Sequence, residues 1–182
     1  MSIVRTYTGK NLDLAKPDPR QICIEDIAHH LAKLDRYNGA GHWAYSVGQH
    51  SLLVAEVLPP EYKLPGLLHD ATEAYLGEVV SPLKAMLPEY RKIEQNVMNA
   101  ICKSFEISFP RPGIVKRADQ AVMAAEMQQV VKWPDLAKRP DLPPPPEDMV
   151  IRQMPWQEVK QVFLERFQEL KKAQEQYKGL GM

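Results

Sequence analysis

Apolar residues recur at helical spacing through most of the chain. Ile24, Ile27, Ala28, Leu31 and Leu34 fall on one stripe, and the spacing predicts a helix that stops near Asn38-Gly39, a C-terminal signal. Ser46 and Gln49 form an S-x-x-Q capping box, which opens a second helix from about Val47 to Leu58 before Pro59-Pro60. A third helix is predicted from about Glu61 to Leu76, with Pro65 near its first turn and Gly77 as its stop. Ser81-Pro82 reads as an N-cap followed by proline at the first helical position. Tyr90, Ile93, Val97, Ile101 and Phe105 mark the buried face of a long helix from about Pro88 to Phe105. Phe109–Gly113 breaks the chain, and Ile114 to about Val131 is helical again. Trp156, Val159, Phe163, Phe167 and Leu170 give a last helix over about 156–172, beyond which the chain is expected to fray.

Two short stretches read differently. Ile3–Thr8 is β-prone and runs into a turn at Gly9-Lys10-Asn11, while Met149–Met154 is a candidate strand and a candidate partner for it. Ala137–Asp148, with prolines from Pro143 to Pro146, predicts an extended surface connection. The expected fold is therefore all-α, a compact helical bundle with at most a small two-stranded β-ribbon. One domain is expected over 1–182, with its core at about 24–131, the Pro-rich connection at 137–148 and the C-terminal helix after it.

Composition narrows the function classes. Hydrophobic residues make up 45% of the 182, enough for a core of one domain. Lys+Arg and Asp+Glu both number 23, and the missing basic excess argues against a nucleic-acid polymer as partner, though not against a small phosphorylated ligand. Cys23 and Cys102 form no metal-like pair, which makes a reducing cytoplasm the default. No stretch approaches ~18 apolar residues, so no membrane span is expected. The N-terminus MSIVRTYTGK lacks the apolar run of a signal peptide.

Several polar residues do not suit a plain core. His69 and Asp70 follow Leu67-Leu68, and on a helix adjacent positions ~100° apart can lean to one point. Glu73 lies four residues after His69 and three after Asp70, hence on the same side. His50 adjoins the apolar stripe of VGQHSLLVAEVL, and Asp119 flanks the stripe made by Val115, Val122 and Met123. A carboxylate so placed is costly unless paired, hydrogen-bonded or bound to a cation. One divalent metal accounts for all four, since two imidazoles and two carboxylates suit a transition metal with open positions for water. Satisfied core histidines with flanking surface charges account for them equally well, and spacing alone does not choose. Arg36, seven residues after His29, reads as a helix-terminal donor fork for phosphate or as a solvated arginine. Tyr37 could stack on a base or pack, and Lys84 could touch phosphate or water. Trp43 and Trp133 read as packing, and Met123 and Met127 as core filler.

YSVGQHSLLVA, GLLHDATEAYLGEVVSPLK and VKRADQAVMAAE, within roughly residues 24–130, resemble the HD-domain phosphohydrolase superfamily. The likeness is to the branch of bacterial 5'-deoxynucleotidases and phage dATP triphosphohydrolases, and the flanks look like its small phage and bacterial members. The resemblance implies that His50, His69, Asp70 and Asp119 hold one divalent metal, with cobalt, manganese or zinc suiting two imidazoles better than magnesium. It implies that Glu73 handles the attacking water and that Glu78 stands where the deoxynucleotidases carry an acidic residue, usually aspartate. Ser81, Pro82 and Lys84 match a segment lining the nucleotide pocket, Arg36 matches a phosphate-reaching arginine, and Tyr37 replaces a tryptophan often found beside it.

The implied activity is metal-dependent hydrolysis of small 2'-deoxyribonucleotides, with homo-oligomerisation as the family habit. A deoxynucleoside triphosphate, dATP first, would yield deoxynucleoside and triphosphate; a monophosphate would yield phosphate. An HD module that binds nucleotide without turnover, and a helical interaction protein whose HD is incidental, are the readings from other classes.

Overall fold

The computed structural model describes residues 2–108, 112–131 and 141–179; the side chains of residue 112 and residues 177–179 are outside the description. Most of the break expected at Phe109–Gly113, the packing role of Trp133 and the first part of the Pro-rich connection (137–140) lie outside the described residues. The architecture is mostly helical, as the periodicity predicts. A hairpin of β1 (Ile3–Arg5) and β2 (Asn11–Asp13) precedes α1 (Ile24–Lys33), α2 (Val47–Val57), α3 (Lys63–Leu67), α4 (Glu73–Leu76), α5 (Ser81–Ala85), α6 (Pro88–Phe105), α7 (Pro112–Gln129) and α8 (Trp156–Gly179). Short 3-10 turns sit at Pro19–Gln21, Arg36–Gly39 and Pro60–Tyr62. Among the described residues no helix is long and apolar enough to cross a membrane.

The helix α1 lies against α8, α2 and α4. Its stripe of Ile27, Ala28 and Leu31 is fully buried and meets Leu67, Leu68, Ile101 and Phe163 in the main core. Burial of each such side chain contributes about 1.5–3 kcal/mol. A second cluster joins α2 to α7 through Val54, Val115 and Val122. The helix that carries His50 is thus clamped between α1 and the helix that carries Asp119.

The structure corrects several boundaries, each for a local reason. The ribbon exists, but β1 pairs with β2 in the register Ile3↔Asp13, Val4↔Leu12, Arg5↔Asn11, not with 149–154. Gly9, at φ 82°, lets the chain reverse in place, and closing so short a loop costs little entropy. Met149–Met154 forms no strand and is held by side-chain amides. Gln129 Nε2 donates to the Met149 carbonyl at 2.9 Å, and Gln129 Oε1 accepts the Ile151 N–H at 2.9 Å. Gln49 Nε2, in place of closing the capping box, donates to the Arg152 carbonyl at 2.6 Å; Ser46 Oγ does accept the Gln49 N–H at 3.1 Å.

Helix α1 ends at Lys33, short of Asn38-Gly39, because Asp35 leaves to form an antiparallel bridge with Ser46. The chain then turns through Tyr37, Asn38 and Gly39, all with φ above 50°. Ser81 is the first residue of α5 rather than its cap, which is Val80. Helix α8 runs past 172 to Gly179, since Lys171 Nζ and Gln174 Nε2 bond the carbonyls of Phe105 and Glu106 at 2.7 and 3.0 Å. Those bonds satisfy the end of α6 and hold the last turns of α8 against it.

The expected helix over 61–76 is broken between α3 and α4, and His69 and Asp70 lie in the break. Gly66 O, which a continuous helix gives to the Asp70 N–H, accepts instead from the His69 ring at 2.7 Å. The chain continues through three-residue bonds, Leu68 O to Ala71 N at 3.1 Å and Asp70 O to Glu73 N at 3.0 Å.

The seat of α2 on α1 is tight at Gly48, two residues before His50. A Cβ there would lie 3.1 Å from the backbone of Leu31 and Ala32 and 3.0 Å from Val159 Cγ1. Gly48→Ala is expected to destabilise the fold by about 1–3 kcal/mol through overpacking, read as a lower urea midpoint at unchanged slope. An unchanged midpoint would show that the contact yields freely.

Candidate metal centre

His50 arrives on α2, His69 and Asp70 on the α3–α4 turn, and Asp119 on α7. His50 Nε2 lies 3.3 Å from His69 Nε2 and 3.3 Å from Asp119 Oδ1. One ligand atom from each of His50, His69 and Asp119 falls within 4.8 Å of the others, so the three can hold a metal ion. Donors bound at about 2.0–2.2 Å in a tetrahedral arrangement stand roughly 3.3–3.5 Å apart, which matches the pairs that include His50. Asp70 stands just outside this triad, with Oδ2 3.1 Å from His69 Nε2 and 3.7 Å from His50 Nε2.

The partners of the other ring nitrogens decide the chemistry of this group. His69 Nδ1–H donates to Gly66 O at 2.7 Å, and His50 Nδ1–H donates to Glu126 Oε1 at 2.6 Å. With both protons held at Nδ1, neutral rings turn the two Nε2 lone pairs toward one point. A carbonyl and a carboxylate behind ligating histidines are what metal centres use to fix ring and tautomer. The donor set thus fits a metal ion.

Electrostatics agree. Burial and Arg36 oppose a positive charge on His50, but the Glu126 and Asp119 carboxylates outweigh them and push the imidazole up to about 9. Burial would raise Asp70 and Asp119, yet His69 and His50 hold the first and His50 the second far below the usual carboxylate range. In the metal-free protein a proton on His50 does what a cation would do.

Glu73 is buried on α4, and Oε1 lies 3.4 Å from Lys84 Nζ. Burial, then the Asp70 charge and a hydrogen bond with Glu78, push its carboxyl up to about 10. Lys84 also pairs with Glu94 at 2.8 Å. A cleft of about 500 Å³ opens over the metal triad, lined among others by His69, Asp70, Lys84, Arg91, Lys116 and Asp119. Glu73 does not line it; Lys84, which bonds to it, does.

The remaining site candidates are placed elsewhere. Ser81 and Pro82 are exposed at the start of α5, off the cleft lining. Arg36, only 9% exposed, is not at a helix end facing solvent; it pairs with Glu126 at 3.1 Å and Asp70 at 3.7 Å, behind the cleft. The Tyr37 hydroxyl donates to Glu126 as well.

Sequence reasoning missed Glu126, Arg91 and Lys116. Glu126 had a readable signal. It lies seven residues after Asp119, two turns along the same face, among Val122, Ala125 and Val130, so the argument that singled out Asp119 applies to it unchanged. Arg91 and Lys116 look like ordinary surface cations until the fold sets them on one cleft.

Cation binding is expected to be proton-linked. Because His50 is raised to about 9, its Nε2 carries a proton below that pH and a cation must displace it. Affinity for zinc should rise with pH by up to about tenfold per unit below the His50 value and level off above it, checked by chelator competition. A flat profile would remove His50 from the ligand set.

No family model matches the chain. An uncharacterized protein of Rhodobacter capsulatus is 39% identical over 127 residues, covering 64% of this chain and 65% of that protein. The uncharacterized protein YfdR of Escherichia coli is 34% identical over 130 residues, covering 71% of this chain and 73% of its own length. With that identity over more than two thirds of both chains, this protein belongs to the family of YfdR.

Proposed function

We propose that the protein is a metal-dependent phosphohydrolase of the HD-domain type that cleaves 2'-deoxyribonucleotides, with a deoxynucleoside triphosphate, dATP first, as substrate. The observation that carries this reading is the convergence of two Nε2 atoms and the Asp119 carboxylate beneath an open cleft whose lining includes Lys84, Arg91 and Lys116. Asp70 completes the ligand set from the side of the two imidazoles.

A divalent cation held by these residues supplies positive charge at the reacting phosphorus and acidifies water there. The chain's own residues do the rest. Asp70 is one of the charges that keep Glu73 protonated; once that charge is neutralised, Glu73 falls back toward a carboxylate that can accept a proton from the attacking water. Lys84 stands between Glu73 and the cleft. Its transfer from Glu73 toward a substrate phosphate clamps the phosphate and opens Glu73 to water. Water oxygen bonds to the α-phosphorus as Glu73 takes its proton, the bond from phosphorus to the 5'-oxygen breaks, and that proton passes to the 5'-oxygen of the departing deoxynucleoside, while Arg91 and Lys116 hold the triphosphate that remains.

One observation favours the monophosphate as the alternative substrate. Lys84 and Lys116 are already paired with Glu94 and Asp119, each at 2.8 Å, which leaves less free charge for a long phosphate chain.

Products from a panel of dNTPs and dNMPs, separated by chromatography with zinc, cobalt or manganese present, test the reading. Triphosphate from dATP is expected. Phosphate from dAMP with dATP untouched would reverse the order of substrates, and nucleotide binding without turnover would leave a binding module. Glu73→Gln is expected to lower kcat by about 100- to 10,000-fold with metal content unchanged. Unchanged turnover would exclude Glu73 as the base.

A further inference from the structure

Glu126 carries no exposed area, yet it accepts from four donors on three parts of the chain. Arg36 Nη2 (3.1 Å) and the Tyr37 hydroxyl bond Oε2; the Tyr45 hydroxyl (2.7 Å) and His50 Nδ1 (2.6 Å) bond Oε1. None of these contacts reaches the cleft, and the chemistry proposed above does not use them.

We propose that Glu126 is a positioning residue of the metal centre: it fixes the tautomer and direction of His50 directly, and the place of Asp70 through Arg36. The inference rests on the metal reading. A carboxylate accepts at both oxygens, so the ring must present N–H at Nδ1, and its lone pair is left on Nε2, toward Asp119 and His69. The same carboxylate anchors Arg36, whose Nη1 lies 3.7 Å from Asp70 Oδ2. The helix α7 therefore supplies both a ligand, Asp119, and, two turns on, the group that aims ligands from two other segments.

Glu126→Gln keeps the shape and reverses the logic. An amide offers one acceptor and one donor, and all four neighbours are donors. If its NH2 meets His50, the ring must accept at Nδ1 and carry its proton on Nε2, where the cation should bind. If the NH2 meets Arg36 and Tyr37 instead, the hold on Asp70 is lost.

The test combines zinc affinity, by chelator competition, with nitrogen-15 NMR of the His50 ring. In the wild-type protein, metal-free at alkaline pH where the ring is neutral, the proton is expected on Nδ1; a ring protonated on Nε2 would overturn the assignment without any variant. Glu126→Gln is expected to lower zinc affinity by about 10- to 100-fold, with the Nδ1–H resonance lost where the amide NH2 meets His50 and kept where it meets Arg36 and Tyr37, and with partial recovery in Glu126→Asp. Wild-type affinity in a folded Glu126→Gln protein would refute the role. Tyr45→Phe removes a donor from the same oxygen and spares the His50 bond, so it is expected to keep both resonance and affinity; a loss equal to that of Glu126→Gln would reassign the effect to a loosened core. If the wild-type chain binds no zinc, the metal reading fails, whereas the ring tautomer still reports on Glu126.

Discussion

A carboxylate with no access to water governs the centre of this protein. Left unpaired, Glu126 would be intolerable in an apolar interior. Its four donors make it stable there, and Arg36 and His50 hold its ionisation down to about 2 against the pull of burial. Those donors come from the α1–α2 connection and from α2 itself, so satisfying one charge fixes how both meet α7. Removing a partner from such a buried ion pair costs about 3–5 kcal/mol, because the remaining charge stays behind. Tyr37 shows the strength of the hold. Its backbone sits at φ 56°, a conformation costing an L-residue roughly 1–2 kcal/mol, and its hydroxyl ends on Glu126.

The same constraint separates what was legible in the sequence from what was not. Helices α2, α6 and α7 were readable because their apolar stripes follow one period and their ends carry proline or a cap. The end of α1 was not, because Asp35 is drawn away by a bridge to Ser46, and a partner eleven residues off leaves no local mark. The break between α3 and α4 was hidden for a subtler reason. The residue that takes the helix's carbonyl is His69, one of the chemistry-bearing residues, so periodicity alone reads through the site as continuous helix. The site therefore bends its own scaffold, and helical angles were the wrong geometry for His69 and Asp70 even though the residues were the right ones to watch.

Within the site, the residues read directly from their misfit with the apolar pattern came together: His50, His69 and Asp119. Arg36 was singled out for a face it shares with His29, yet the chain leaves the helix before reaching it, and the side chain turns inward to Glu126. A guanidinium looks the same in sequence whether it meets a phosphate or a buried glutamate; only the partner tells, and Glu126 lies ninety residues away.

Charge balance joins these points. Behind and around the imidazoles lie three carboxylates, Asp70, Asp119 and Glu126, against one buried guanidinium, Arg36. Lys116 bonds Asp119 from the rim, but it is largely exposed and screened by solvent. The interior thus holds about two uncompensated negative charges, only part of which a proton on His50 neutralises. A metal ion held by His50, His69 and Asp119 would add positive charge where these carboxylates converge. A cation there would also weaken the field of Asp70 on Glu73, whose carboxyl is raised first by burial and then by that charge.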